Sequence, residues 1–369
     1  MQVQKVILPN REPRYLLLDD DDRIIQPVKR YLKHLDHLGR SIYTLKTYCH
    51  HLKLYFTFLD ERGLTYLSLP EKGRRVLLLS DFIGWLKAWQ GKNVVGLQAR
   101  RSSRTINGIM CTVIGFYRFL SFNGEIQGLE FLLPTTGNRP SYGLLAEMRG
   151  YRTGHRSFFR LKERQKEPET ASREDIMKMV NACTFLRDKL LVLMMYEAGL
   201  RLGEALNLWV KDFIPWKNQV KVVQHKGANP MARVKNCSEG ILDIPAYVMQ
   251  LFCRYISEEY AGRDYTYVFV NLTGRHRGAP LLADTVEMKF RQLRKACGVN
   301  IHPHVLRHSH ATELIEIGDW DVLDVKTRLR HKHVQTTIQA YIRLSDSYKR
   351  EKFREFYRKV KAHEKHLDS

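Results

Sequence analysis

The sequence predicts an all-α N-terminal domain followed by an α+β domain in which helices surround a small antiparallel sheet. Three observations carry this. Apolar residues recur at three-and-four spacing through residues 45–124, which marks helices that bury one stripe. From residue 173 onward, helical patterns are interrupted by short β-rich runs, the mixture expected of an α+β domain. Between the two, residues 131–171 hold turn formers and charge without sustained periodicity, which reads as a linker or surface segment.

The elements follow in order. Residues 3–8 and 14–18 alternate weakly around "NREP" and predict a small hairpin, within an N-terminal arm over residues 1–24. The acidic run Asp19–Asp22 reads as a solvated turn, since adjacent carboxylates repel one another and make a poor pre-formed metal cage. In "TLKTYCHHLKLYFTFLDERG", Leu45, Tyr48, Leu52, Tyr55, Phe56 and Leu59 share one stripe that stops at Gly63. "LSDFIGWLKAWQ" predicts a helix with Ser80 as N-cap. "RTINGIMCTVIGFYRFLSFNG" repeats the stripe through Ile106, Ile109, Met110, Val113, Phe116, Tyr117 and Leu120, with Gly124 as the stop. These helices define a domain over residues 25–130.

The segment 131–171 contains Pro134, Gly137, Pro140, Gly143, Gly150, Gly154 and Pro168, with seven Arg and Lys residues from Arg149 to Lys166. It is too long for a passive compact loop, so it is expected to touch a partner directly. Ser172 and Asp175 form a capping box that opens the second domain, residues 172–345. There, "FLRDKLLVLMMYEAGLRLGEALNLW" reads as helix, a break at Gly199, and helix again. "NQVKVVQHKGANPMARVK" and "GILDIP" read as short strands around a basic turn, and "YTYVFVN" as another β-rich run. Helical patterns resume from about residue 283 to 360. Residues 346–369 end the chain as a basic helix with Phe353, Phe356, Tyr357 and Val360 on one apolar stripe.

Charge narrows the function. Lys and Arg total 61 against 39 Asp and Glu, a net charge of +22. The excess is +8 over residues 1–130, +4 over 131–172, +6 over 173–341 and +4 over 342–369. A basic surface spread over several domains suits a polyanion, most simply nucleic acid. The six cysteines lie far apart with no C-x-x-C pair, which points away from a disulfide framework or a zinc site. The apolar run Leu190–Tyr196 is far shorter than the roughly 20 residues that cross a bilayer. The N-terminus lacks a basic start followed by an apolar stretch, so no signal peptide or membrane partner is expected and the cytoplasm is the expected location.

Two Arg-centred stretches could carry chemistry. In "AGLRLGEALNL", Arg201 follows the glycine break and stands three residues before Glu204, so one helical face can hold both. Taken alone, that pattern also fits a surface ion pair. In "HPHVLRHSHATEL", His304 and Arg307 share the same spacing, presenting an imidazole and a guanidinium to one point. A guanidinium fork matches phosphate oxygens. His302, His304, His308, His310, His331 and His333 crowd one stretch, which raises a metal site. The motif H-E-x-x-H is missing and arginines intervene throughout, so the surroundings favour an anion over a dication.

Four motifs in order, "YEAGLRLGEALNL", "HKG", "HPHVLRHSHAT" and "RLRHKHVQTTIQAYIR", resemble the tyrosine recombinase or phage integrase family. The helical domain is similar to that family's core-binding domain, and the first 60 residues to transposon-borne members. The resemblance implies a catalytic domain of tyrosine recombinase type and a site-specific recombinase that cuts and rejoins DNA through a covalent 3′-phosphotyrosyl intermediate. Arg201 and Arg307 would clamp the scissile phosphate, and Glu204 would support Arg201. Lys226 would be the lysine on the β-turn, His304 and His331 the two histidine positions, and Tyr341 the nucleophile. No metal, ATP or other cofactor is implied.

The residue types suit that chemistry, because attack on a phosphodiester builds charge that fixed cations stabilise. Double-stranded DNA with specific sites, a homotetramer on two duplexes, accessory recombination proteins and nucleoid association when bound to DNA follow from the same resemblance. So does docking of the C-terminal helix on a neighbouring subunit, where packing on its own domain is the alternative.

The chain also departs from the family pattern. Leu329-Arg330-His331 stands where the family has Leu-Gly-His, so an arginine there either alters the turn or adds a phosphate contact. "HKG" replaces "GKG", and the segment from Lys226 to Ile241 is long, which makes Lys235 a second candidate for the lysine. A type IB topoisomerase, a catalytically silent DNA-binding relative and a metal-dependent nuclease or DDE transposase are the competing functions.

Overall fold

A computed structural model describes residues 1–9, 13–67, 74–88, 101–127, 159–163, 169–225, 239–260, 266–330, 350, 352–354 and 358. The chain divides into two units, Met1–Gln165 and Lys166–Ser369.

In the first unit, the predicted hairpin is present. Strands β1 (Gln2–Ile7) and β2 (Pro13–Leu18) pair antiparallel, with Gln2 opposite Leu18 and Ile7 opposite Pro13. The acidic run is a turn in which Asp19 Oδ1 accepts the N–H groups of Asp21 and Arg23 at 3.0 and 2.8 Å. Four helices follow: α1 (Gln26–His37), α2 (Ile42–Asp60), α3 (Arg74–Ala88) and α4 (Ser103–Phe122). Ser41 and Ser102 cap α2 and α4 by accepting the N–H of Thr44 and Thr105, which satisfies one orphan donor at each start. The predicted stops Gly63 and Gly124 both adopt positive φ.

The predicted stripes of α2 and α4 form the centre of the core, where the Tyr55 and Tyr117 hydroxyls meet at 2.6 Å. Tyr48 is partly buried at its edge. Helix α4 is long and apolar enough to cross a membrane by length and composition, yet its apolar face is spent on this core. The Ser80 cap is a correction. Helix α3 starts at Arg74, and Ser80 lies inside it with its side chain exposed. The spacing of buried Leu78, Leu79, Phe82, Ile83 and Leu86 runs through Ser80, so packing outweighs the capping preference of serine. Of the basic segment after residue 130, Phe159 belongs to this core, and Leu161 exchanges two hydrogen bonds with the Asn107 amide.

The second unit opens with α5 (Arg173–Asn181), capped by Ser172 through the Asp175 N–H at 3.1 Å. Helix α6 (Leu186–Glu197) is buried along Leu190–Tyr196 and forms the middle of the core. The short α7 (Leu202–Ala205) follows the glycine break. A three-stranded antiparallel sheet, in the order β3 (Phe213–Ile214), β4 (Gln219–Val222), β5 (Gly240–Asp243), packs with α8 (Ala246–Glu258). Helices α9 (Ala283–Cys297), α10 (Pro303–Glu316) and α11 (Val322–Arg328) complete it. Helices around a small antiparallel sheet are thus the observed architecture.

The β-rich run "YTYVFVN" makes only isolated bridges, Trp209 to Tyr267 and Val270 to Pro280. Backbone N–H groups of Val210 and Leu281 donate to the Thr266 and Phe269 carbonyls, and side chains take two others: the Tyr255 hydroxyl bonds Val268 O at 2.8 Å and Arg187 Nη1 bonds Val270 O at 2.9 Å. Its apolar character reflects full burial of Val268, Phe269 and Val270.

Candidate active site

The site begins at the end of α6. Gly199 has φ of +59°, and a Cβ there would lie 2.7 Å from both His310 Cδ2 and Leu329 Cδ2. Glycine is required on both counts. The reversal places Arg201 as N-cap of α7. Its backbone N–H donates to Glu204 Oε2 at 3.0 Å and its Nη1 to Glu204 Oε1 at 2.6 Å. The surface ion pair is excluded, because the Glu204 side chain is only 1% exposed.

Two further guanidinia reach the same carboxylate. Arg307 Nη1, from α10, lies 3.5 Å from Glu204 Oε2, and Arg330 Nη2, just after α11, lies 2.7 Å from that oxygen. Arg307 also donates from Nη1 to the Gly199 carbonyl and from Nη2 to the Leu329 carbonyl. These bonds fix its planar fork. Burial works against the Glu204 charge, but Arg330, Arg307 and the Arg201 N–H and guanidinium outweigh it and hold the carboxyl below its usual range. Burial, with repulsion from Arg201 and Arg330, pushes Arg307 down to about 9 against the pull of Glu204. Three guanidinia thus converge on one carboxylate.

Arg201, Arg307 and His304 line one cleft with Leu200, Leu202, Pro303 and Glu287. His304 is exposed there in the first turn of α10, where the helix dipole favours an anion. The sequence spacing thus brings together Arg201, Glu204, His304 and Arg307. Lys226, His331 and Tyr341, with Lys235 and His333, lie outside the described residues.

The other clustered histidines face different surroundings. His302 is 3.8 Å from Glu169. The His308 and His304 rings stand 6.4 Å apart. His310 is buried against the Gly199 turn, where burial and the charges of Arg328 and Arg307 push its imidazole down to about 3.

Two features were missed from sequence. One is the contact of Arg330 with Glu204, made across 126 residues; the only local signal was an arginine where the related pattern has glycine. The other is the anchor of His225, the residue before Lys226. Its ring stacks on Trp209 at 3.8 Å, and Nε2 lies 2.8 and 3.0 Å from the Asp212 carboxylate oxygens. No short-range spacing advertises either.

The Phage integrase family matches residues 169–347. Transposase A from transposon Tn554 of Staphylococcus aureus is 34% identical over 370 residues, covering 99% of this chain and 100% of that protein. Tyrosine recombinase XerC of Oceanobacillus iheyensis is 26% identical over 325 residues, covering 85% of this chain and 89% of that one. Among solved structures, a Tn1549 transposon integrase in complex with a circular intermediate DNA aligns with a TM-score of 0.59 at 14% identity, covering 89% of this chain and 99% of that one. A lambda integrase dimer bound to a COC′ core site aligns with a TM-score of 0.56 at 18% identity, covering 85% and 76%.

Proposed function

This chain belongs to the phage integrase family, the family of the tyrosine recombinases, and from that premise we propose how its residues cut and rejoin DNA for a mobile element. It is a tyrosine-type site-specific recombinase, and its substrate is double-stranded DNA. The observation that carries the proposal is the single cleft shared by Arg201, Arg307 and His304 over a buried carboxylate.

Tyr341 is the nucleophile. Its hydroxyl oxygen bonds to the scissile phosphorus as the phosphorus–O5′ bond breaks, leaving a 3′-phosphotyrosyl enzyme and a free 5′ hydroxyl. A tyrosine is neutral near pH 7, so its proton must leave, and His304 at the cleft is the acceptor. The departing O5′ takes a proton from Lys226, with Lys235 as the alternative donor. Arg201 and Arg307 bind the nonbridging oxygens, where charge grows in the transition state, and His331 adds a further donor. Arg307 has five N–H groups, so its bonds to Gly199 and Leu329 fix the fork and leave others for phosphate. Attack by a second strand's 5′ hydroxyl reverses the step and returns the proton to the tyrosine. The phosphotyrosyl bond conserves the energy of the broken linkage, so the cycle needs neither ATP nor metal.

The wider proposal keeps the domain roles: an arm over 1–24, a core-binding domain over 25–130, a basic linker over 131–171, a catalytic domain over 172–345 and a C-terminal helix over 346–369. Four protomers would act on two duplexes, with that helix docking on a neighbour and accessory recombination proteins directing the outcome. Acting on DNA places the protein in the cytoplasm, at the nucleoid when DNA-bound. A nicked suicide duplex carrying the ends of the encoding element tests the reading. Wild-type protein should become covalently linked to it, while Tyr341→Phe should bind the duplex and form no adduct. An adduct that persists with Tyr341→Phe would show that another residue is the nucleophile.

A further inference from the structure

The chain leaving α11 is anchored at three consecutive residues. Arg328 Nη2 donates to the carbonyls of Glu197 and Asp243 at 3.2 and 2.8 Å. The Leu329 carbonyl accepts Arg307 Nη2 at 2.5 Å. Arg330 then adopts φ of +54°, a left-handed conformation that non-glycine residues seldom take. Its side chain is 5% exposed and ends on Glu204 Oε2. A Cβ on Gly240 would lie 3.3 Å from Arg330 Cδ, so the glycine that opens β5 leaves room for the arginine stem. A backbone shape suited to glycine thus holds an arginine, and the strand beside it supplies the space.

We propose that Arg330 is a positioning residue for strand cleavage: it holds the Glu204 carboxylate that aligns Arg201 and Arg307. This rests on the recombinase reading above. Oε2 of Glu204 is the hub, receiving Arg330 Nη2 at 2.7 Å, the Arg201 N–H at 3.0 Å and Arg307 Nη1 at 3.5 Å. Without Arg330, the 3.5 Å contact of Arg307 is what reaches that oxygen from beyond the Arg201–Glu204 turn. Closing it would draw Arg307 away from the carbonyls that fix its fork. Arg330 is not among the residues that line the cleft, so its part is to orient the guanidinia and not to touch phosphate.

The charge on Glu204 depends on this contact. The groups facing it are Arg201 from its own turn, Arg307 from α10 and Arg330 after α11. Against the upward push of burial, all three hold the carboxyl down, Arg330 by its charge and its short contact to Oε2. Its loss leaves burial less opposed, so Glu204 takes a proton at higher pH and releases Arg201.

The test compares wild type, Arg330→Gly, Arg330→Gln and Arg330→Lys in the full chain. It reads adduct formation on the nicked duplex in single turnover from pH 4 to 8, with DNA affinity and melting temperature alongside. Arg330→Gly, which also suits the backbone, and Arg330→Gln should bind DNA like wild type. Both should form the adduct about tenfold to a hundredfold more slowly, less than the loss of a direct donor. Their acid limb should move to higher pH, and Arg330→Lys should restore both rate and limb in large part. An unchanged rate and limb in Arg330→Gly overturns the inference. So does equal slowing in all three variants with a lowered melting temperature and an unmoved limb, which is a structural role only. If Arg330→Gly fails to fold, the contrast between Gln and Lys decides. Wild-type protein that forms no adduct defeats the recombinase reading and this inference together; a wild-type adduct with indifferent variants defeats only the inference.

Discussion

Arg201 closes on Glu204 at both of its ends, with the backbone N–H 3.0 Å from Oε2 and the guanidinium 2.6 Å from Oε1. The capping turn and the ion pair are one structure, so the geometry that starts α7 also orients a cation at the cleft. Breaking a buried pair by removing one partner costs about 3–5 kcal/mol. Glu204→Gln leaves Arg307 and Arg330 buried without the charge that compensates them. Urea unfolding should show a loss of about that size, and a change under roughly 1 kcal/mol would mean the cluster relaxes freely.

Arg201 and Arg307 should separate in their effects. Each alanine variant should lose about 3–4 kcal/mol of transition-state stabilisation in cleavage, the scale of an oxyanion donor. Only Arg307→Ala should also lower the melting temperature markedly, because Arg307 ties the Gly199 and Leu329 carbonyls together and is 6% exposed at its side chain. The Arg201 side chain is 19% exposed and bonds its own turn. Equal melting temperatures for the two variants would contradict the assignment of Arg307 as a brace.

Gly199→Ala should destabilise the second unit by about 2–5 kcal/mol. The positive φ costs about 1–2 kcal/mol for a residue with a Cβ, and contacts of 2.7 Å with His310 and Leu329 add an overpacking cost of about 1–3 kcal/mol. Chemical denaturation reads this directly.

Acid should weaken the second unit through two groups of the same sign. His310 is held down to about 3 when folded and returns to about 6.5 when unfolded. The unfolded chain therefore binds the extra proton between those values, and stability falls as pH falls through that window. Glu204 is held below its usual range, so its contribution is present above about 4.5 and is lost below it. Melting temperatures at pH 7.5 and 5.5 should differ in wild type. In His310→Leu the difference should shrink, whatever its absolute stability.

The sequence revealed the helical stripes because α2 and α4 each bury one continuous face, and it revealed Arg201, Glu204, His304 and Arg307 because each pair lies within one helical turn. It misplaced the start of α3, where Ser80 offered a cap that burial of Leu78 and Leu79 overrode. It read "YTYVFVN" as a β-rich run, and the segment makes isolated bridges at Tyr267 and Val270, because full burial and strand pairing favour the same residue types. Arg330 and His225 were illegible as site neighbours for a different reason. Their partners Glu204 and Asp212 are joined to them by the fold, with no periodicity linking them.

The central claim is that Tyr341 bonds to DNA in a cleft whose cations are held by Glu204. Wild-type protein trapped on a nicked duplex, digested and sequenced by mass spectrometry, tests it most directly. A phosphonucleotide on the peptide that contains Tyr341, on that residue, is the expected result. A nucleotide on any other side chain, or a duplex cut without any protein-linked product, would contradict it.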